Sequence, residues 1–206
     1  VESASELRRI SRIATELGKT ARIAFRFNPD VDPKTHPYIS TGLKKNKFGI
    51  DRREVLRLVG ELPRHPNVKL RGISIHIGSQ LTSLSPLDDA FGRLAGLARE
   101  LNRLLPEPLS HLDLGGGVGI TYRNEKPPTI AAYCALVKKH FGPRSELQRT
   151  TPVRLLFEPG RMIAGNAGVL LTQVLYRKTA GKKEFLIVDA AMNDLLRPSL
   201  YSAHHE

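Results

Sequence analysis

Apolar positions along the chain switch repeatedly between helical spacing and the shorter period of strands. Leu7, Ile10, Ile13, Ala14 and Leu17 recur every three to four residues, behind the capping-box pair Ser3 and Glu6 and ahead of a stop at Gly18. Ile23, Phe25 and Phe27 then alternate with other residues, which predicts a strand from Arg22 to Asn28. Asp51 with Glu54 starts a second helix, whose apolar positions are Val55, Leu56, Val59 and Leu62 and which Pro63 ends. Leu70 to Ile77 reads as a second strand, punctuated by Gly78. Ser85 is expected to cap a third helix, with Pro86 at its first position and Asp88 and Asp89 at the positive end of its dipole. Leu87, Phe91, Leu94, Ala98, Leu101 and Leu105 are its apolar stripe. His111 to Leu114 predicts a third strand, Ile130 to Phe141 a fourth helix closed by Gly142, and Val153 to Phe157 a short, fully buried strand.

Strict alternation of helices and strands argues for an α/β fold with parallel strands joined by right-handed crossovers. From Gly168 the texture changes. Val169 to Tyr176 and Glu184 to Asp189 read as two strands joined by a hairpin-like turn from Lys178 to Lys183, so an antiparallel region begins there. The expected division is 1–167 and 168–206. The polar stretch from Val31 to Asn46 is an irregular excursion longer than an ordinary connection, and loops of that length are often functional.

Composition narrows the function classes. A chain of 206 residues suits one domain with a sizeable core and is short for a complete (β/α)₈ barrel of about 250. No apolar run approaches the roughly 18 residues of a membrane span, and the first residues have no signal-peptide pattern. Cys134 is the only cysteine, which excludes an internal disulfide and suits a reducing cytoplasm. The net charge of +12 raises the question of nucleic acid. The basic residues are spread out, however, with local groups at Lys44, Lys45 and Lys47 and at Arg177, Lys178, Lys182 and Lys183. Aromatic side chains are not interleaved with them as base-stacking platforms. A solvated basic surface, compatible with an anionic ligand, is the expectation.

Four strand ends carry suggestive residues: Asn28-Pro29-Asp30, His76-Ile77-Gly78-Ser79-Gln80, Gly115-Gly116-Gly117-Val118-Gly119 and Glu158-Pro159-Gly160-Arg161. In α/β barrels the carboxyl ends of the strands are where chemistry is done. Three consecutive residues without Cβ let backbone amides surround an anion, although a glycine run is equally a flexible loop. The run does not fit G-x-G-x-x-G, and there is no Walker sequence, no G-x-S-x-G and no H-E-x-x-H. A lone His76 is more often a satisfied core histidine than a catalytic one. The case rests on convergence of a glycine cradle, a hydroxyl, an imidazole and a carboxylate on one rim.

That combination resembles the fold-type III decarboxylases that use pyridoxal 5′-phosphate, and within them the branch acting on diaminopimelate. The resemblance lies in Gly72 to Gln80, Leu112 to Ile120, Glu158 to Arg161, Asp189 to Leu195 and Arg197 to His204. It implies a partial (β/α)₈ barrel, the second half with about four strands, followed by the start of an antiparallel β-domain. It also implies loss of CO₂ from meso-diaminopimelate to give L-lysine, in a cytoplasmic homodimer. By the same resemblance the amides of Gly115, Gly116, Gly117, Gly160 and Arg161 and the hydroxyl of Ser79 would hold the cofactor phosphate. His76 would stack on the pyridine ring and Glu158 would pair with its nitrogen. Arg161, Arg197 and Tyr201 would grip the far end of the substrate. The family's cofactor-bonded lysine, in a tyrosine-x-x-lysine-alanine-asparagine type motif, has no match here, and neither has its cysteine-glutamate-serine segment. The chain by itself is therefore expected to be inactive. The alternatives are a same-fold decarboxylase of the ornithine or arginine type and a non-catalytic half-barrel that binds pyridoxal phosphate.

Overall fold

The computed structural model describes residues 1–32 and 47–205, so most of the predicted excursion, with Lys44 and Lys45, lies outside the described residues. Helix α1 (Ala4–Glu16) begins where Ser3 Oγ accepts the amide of Glu6 at 3.1 Å. Strand β1 (Ala21–Arg26) follows. Helix α2 (Arg52–Glu61) starts in the same way, with the carboxylate of Asp51 accepting the Glu54 amide at 2.8 Å. Both caps satisfy amides that the first turn leaves without partners. Strand β2 (Val68–Ser74), helix α3 (Ser85–Leu104), strand β3 (His111–Asp113), helix α4 (Ile130–Phe141) and strand β4 (Arg154–Leu156) complete the alternation.

The four strands form one parallel sheet in the order β1-β2-β3-β4. One face packs under the helices: Phe25, Ile73, Ile75, Leu112 and Leu114 are buried against residues such as Leu58, Phe91, Leu94 and Leu101. Phe91 meets Phe141 edge to face at 5.5 Å, and Asp88 binds the ammonium of Lys139 at 2.7 Å, fastening the start of α3 to the end of α4. Side chains alternate across a strand, so the other face carries Arg26, Ser74, His76, Asp113, Arg154 and Leu156, all partly or fully exposed. That face is open and polar. It leads to the carboxyl ends of the strands.

Several predicted details change. The strand at 153–157 is not fully buried: Leu156 lies on the open face and is 39% exposed, and Phe157, on the helix side against Tyr133, is still 47% exposed because β4 is an edge strand of the sheet. The run of apolar residues concealed an edge strand. Ser85 lies inside α3 rather than capping it; Leu84 is the cap residue, and Ser83 Oγ accepts the Ser85 amide at 3.3 Å. Three short helices have no counterpart in the sequence pattern: α5 (Glu146–Thr150), capped by Ser145, α6 (Arg161–Ala164), which starts at the Pro159-Gly160 turn, and the last one, after the hairpin. The antiparallel pair is β5 (Val174–Ala180) with β6 (Lys183–Val188), joined through Gly181 and Lys182 alone rather than by a six-residue turn. Gly181 supplies φ +63°, as a two-residue hairpin loop requires. Helix α7 (Arg197–Tyr201) is the last described element, and the described chain runs on to His205.

Candidate active site

Past the ends of β2, β3 and β4, backbone hydrogen bonds continue from strand to strand and hold three loops side by side. The Ile75 amide donates to Asp113 O at 3.0 Å, that of Leu114 to Leu156 O at 3.0 Å, and that of Glu158 to Gly115 O at 2.8 Å. Leu81 N–H donates to Gly117 O at 2.8 Å, and Gly119 N–H to Leu81 O at 3.0 Å. This proximity explains the glycines. A Cβ on Gly115 would run into Ile75 O, one on Gly116 into Glu158 O, and one on Gly117 into Gly78 O. Gly115 and Gly117 also hold φ of +66° and +97°, a region where side chains are strained.

The rim therefore brings together the predicted residues His76, Ser79, Gly115, Gly116, Gly117, Glu158, Gly160 and Arg161. His76 Nδ1 lies 3.7 Å from Glu158 Oε2 and accepts the Gly116 amide at 3.4 Å. The Gly115 amide is engaged as well, by Asp113 Oδ1 at 2.9 Å. Among the described residues, the amides of Gly117, Gly160 and Arg161 and the Ser79 hydroxyl have no partner. An anion thus finds fewer open donors in the glycine loop than its three residues suggest. Ser79, next to the Gly78 carbonyl that Gly117 abuts, and the 160–161 turn, next to Glu158, supply the remainder.

Two residues that the sequence reading did not single out face the same site. Asp113 lies two positions before Gly115, and Arg26 two before Asn28, so strand periodicity places each on the open face. Arg26 is itself held by Glu2 Oε1 at 3.0 Å and lies over the Phe48 ring at 4.8 Å. Their charges act on the pair. Burial, reinforced by Arg26 and opposed by Asp113, holds His76 below its ordinary 6.5. Burial, together with the Asp113 carboxylate, raises Glu158 above its ordinary 4.5. The unfolded chain thus takes a proton at His76 before the folded chain does, and this contribution to stability is full above about pH 6.5 and is lost as pH falls below it. Glu158 acts oppositely: its share is full below about pH 4.5 and is lost as pH rises through its folded value. Thermal unfolding followed from about pH 8 to about pH 5 should show the His76 decline, and His76→Asn should flatten it.

Further out, Arg161 Nη1 donates to Gln80 Oε1 and to the Tyr122 hydroxyl, both at 3.2 Å. Burial pushes the Arg161 pKa down, and Arg197 contributes as a nearby like charge. Arg197 has its Nε buried without a hydrogen-bond partner among the described residues, and its guanidinium lies 5.7 Å from the Tyr201 ring centre. His205, whose Nε2 is likewise buried and unpartnered, meets Tyr122 edge to face at 6.0 Å. Two guanidiniums converge here, and among the described residues no carboxylate is paired to either. A cleft of about 1320 Å³ lies between α2 and α3. Three of its five arginines are taken up internally, Arg52 by Glu100 at 2.6 Å, Arg93 by Asp89 at 2.9 Å and Arg99 by Glu146 at 3.5 Å.

Residues 1–165 match the model of the pyridoxal-dependent decarboxylases, pyridoxal binding domain. The chain belongs to the pyridoxal-dependent decarboxylase family. Among curated members, the diaminopimelate decarboxylase of Neisseria meningitidis serogroup A is 51% identical over 207 residues, a match covering 100% of this chain and 48% of that protein. The enzyme of the same name from Pseudomonas aeruginosa is 49% identical over 205 residues, covering 98% of this chain and 47% of that one. Among solved structures, the diaminopimelate decarboxylase of Helicobacter pylori complexed with L-lysine superposes with a TM-score of 0.89 at 42% identity, covering 100% of this chain and 50% of that one. The chain spans about half the length of the decarboxylases it matches. The parallel sheet with its helices matches the barrel part of the decarboxylase fold, as expected, and the hairpin stands as a separate antiparallel sheet.

Proposed function

We propose that this chain is the phosphate- and ring-holding half of a decarboxylase that uses pyridoxal 5′-phosphate to convert meso-diaminopimelate into L-lysine. The observation that carries the reading is the direct junction of the glycine loop and the acidic strand end, with Glu158 N–H on Gly115 O at 2.8 Å. A phosphate at the first and a ring nitrogen at the second are then within reach of one small molecule. The residues fit that group, because close backbone approach replaces side chains in the cradle and open donors remain at Gly117, Gly160, Arg161 and Ser79. Gly115 and Gly116 shape the wall.

When bound, the cofactor ring takes up the electron pair that the departing carboxylate leaves behind. Glu158 keeps a proton on the ring nitrogen, and His76 covers one face of the ring beside it. Arg161, Arg197 and Tyr201 hold the second carboxylate of the substrate. A planar, always-charged guanidinium suits that task better than an ammonium. Residues 1–167 form the barrel part and 168–206 begin the β-domain. The reading places the whole protein in the cytoplasm as a homodimer without nucleic-acid or membrane partners. Exposed apolar residues on and before the hairpin, among them Val169 and Leu171 at 86% and 88%, are what further protein would cover.

Calorimetric titration of the pyridoxal-phosphate-saturated chain tests the substrate. It should favour meso-diaminopimelate over L-ornithine, and Arg197→Met should remove the preference, weakening diaminopimelate about tenfold through the lost charge-assisted bonds. Equal affinity for the two amino acids in the unaltered chain would point to another substrate. Binding that Arg197→Met leaves unchanged would remove Arg197 from the site.

A further inference from the structure

We infer that Gln80 is the positioning residue of this site: its side chain locks the glycine loop and turns Arg161 toward the substrate. The inference rests on the cofactor-and-carboxylate reading above and names the device that sets its geometry. Gln80 sits at φ +61°, one of three non-glycine residues at positive φ among those described. Residues of this kind are held in so sparsely populated a region only by their surroundings.

The surroundings are specific. Gln80 Nε2 donates to Ile120 O at 2.6 Å, while its Oε1 accepts the Ile120 amide at 3.2 Å. Both halves of the side-chain amide are thereby fixed, because a backbone carbonyl demands the nitrogen and a backbone N–H demands the oxygen. The clamp closes the loop that starts at Gly115 by gripping Ile120, 40 residues from Gln80 in sequence. The amide also lies across Gly119, where an added Cβ would come within 3.2 Å of Gln80 Cδ.

The same Oε1 accepts from Arg161 Nη1 at 3.2 Å, and the Tyr122 hydroxyl accepts from that nitrogen at 3.2 Å. Both hydrogens of Nη1 are then spent within the chain. Nε and Nη2 have no partner among the described residues, and they form the edge that presents two parallel donors to a carboxylate. One side chain thus links the loop after β2, the loop after β3 and the arginine after β4. Without it, the Ile120 backbone groups lose their partners and Arg161 Nη1 keeps only the Tyr122 hydroxyl to set the direction of its fork.

The test compares the unaltered chain with Gln80→Gly and Gln80→Glu. Glycine removes the clamp while suiting positive φ, so its melting temperature should be retained and loss of the fold does not confuse the result. Amide exchange at Ile120 in the ligand-free chain should accelerate about tenfold, and meso-diaminopimelate should bind about tenfold more weakly. In Gln80→Glu the ionised carboxylate occupies Arg161 and faces Ile120 O without a donor. Its Ile120 exchange, divided by that of the unaltered chain, should fall toward one as acid protonates the side chain and restores the donor. Exchange and affinity within about twofold of the unaltered chain in Gln80→Gly would overturn the inference. If the unaltered chain binds neither pyridoxal phosphate nor diaminopimelate, the cofactor reading fails, and the Ile120 exchange still decides the clamp.

Discussion

Gly116→Ala is expected to lower the stability of the chain by about 3 kcal/mol, the upper part of the range for forced overpacking. The reason is backbone against backbone. The added Cβ would overlap Glu158 O and lie 2.8 Å from Glu158 C, and neither atom belongs to a side chain that could swing away. To accommodate it the glycine loop and the acidic strand end must part, which strains the bond between Glu158 N–H and Gly115 O. For a domain of this size the melting temperature should fall by roughly 10 °C, with pyridoxal phosphate binding lost in parallel. Gly96→Ala is the control. Gly96 lies within α3 with nothing within 4 Å of its Cβ position, and alanine there should stabilise by about 0.5–1 kcal/mol. Equal effects of the two substitutions, by thermal unfolding, would show that the loops are not pressed together.

Glu158→Gln is expected to reduce decarboxylation in the whole protein about a hundredfold, the loss typical of removing one group that stabilises developing charge. The amide keeps the size of the carboxylate and its capacity to touch the ring nitrogen, yet cannot keep a proton there. Pyridoxal phosphate should therefore still bind, through the phosphate donors at Gly117, Gly160, Arg161 and Ser79, while the absorbance titration of the bound ring shifts its nitrogen pKa downward. The separation of the two effects is the informative part. Burial and Asp113 raise the Glu158 pKa in the ligand-free chain against the opposing charge of Arg26, so a cationic ring would add counter-charge that Arg26 supplies only in part. A variant that loses cofactor and rate together would instead indicate that Glu158 anchors the loop.

Much of the fold was legible because its signals are local. Ser3 and Asp51 cap helices as their spacing to Glu6 and Glu54 requires, and α4 runs from Ile130 to Phe141 as its apolar pattern predicts. Signals that depend on distant partners were not. The exposure of β4 reflects its place at the edge of a sheet with helices on only one face, which Leu155-Leu156-Phe157 does not reveal. The rim was legible as a set of strand ends, and the structure brings them together. Its fine geometry was hidden. That His76 engages the Gly116 amide is a contact between loops, and Gln80 acts on partners 40 and 81 residues away. Alternation along β1 and β3 was the one available clue to Arg26 and Asp113.

A crystal structure of the chain with pyridoxal 5′-phosphate tests the central claim most directly. The phosphate should lie against Gly117, Gly160, Arg161 and Ser79, the ring beside His76, and the ring nitrogen within hydrogen-bond distance of Glu158. Phosphate seated among Arg52, Arg93 and Arg99 in the cleft between α2 and α3, with the glycine loop empty, would contradict it.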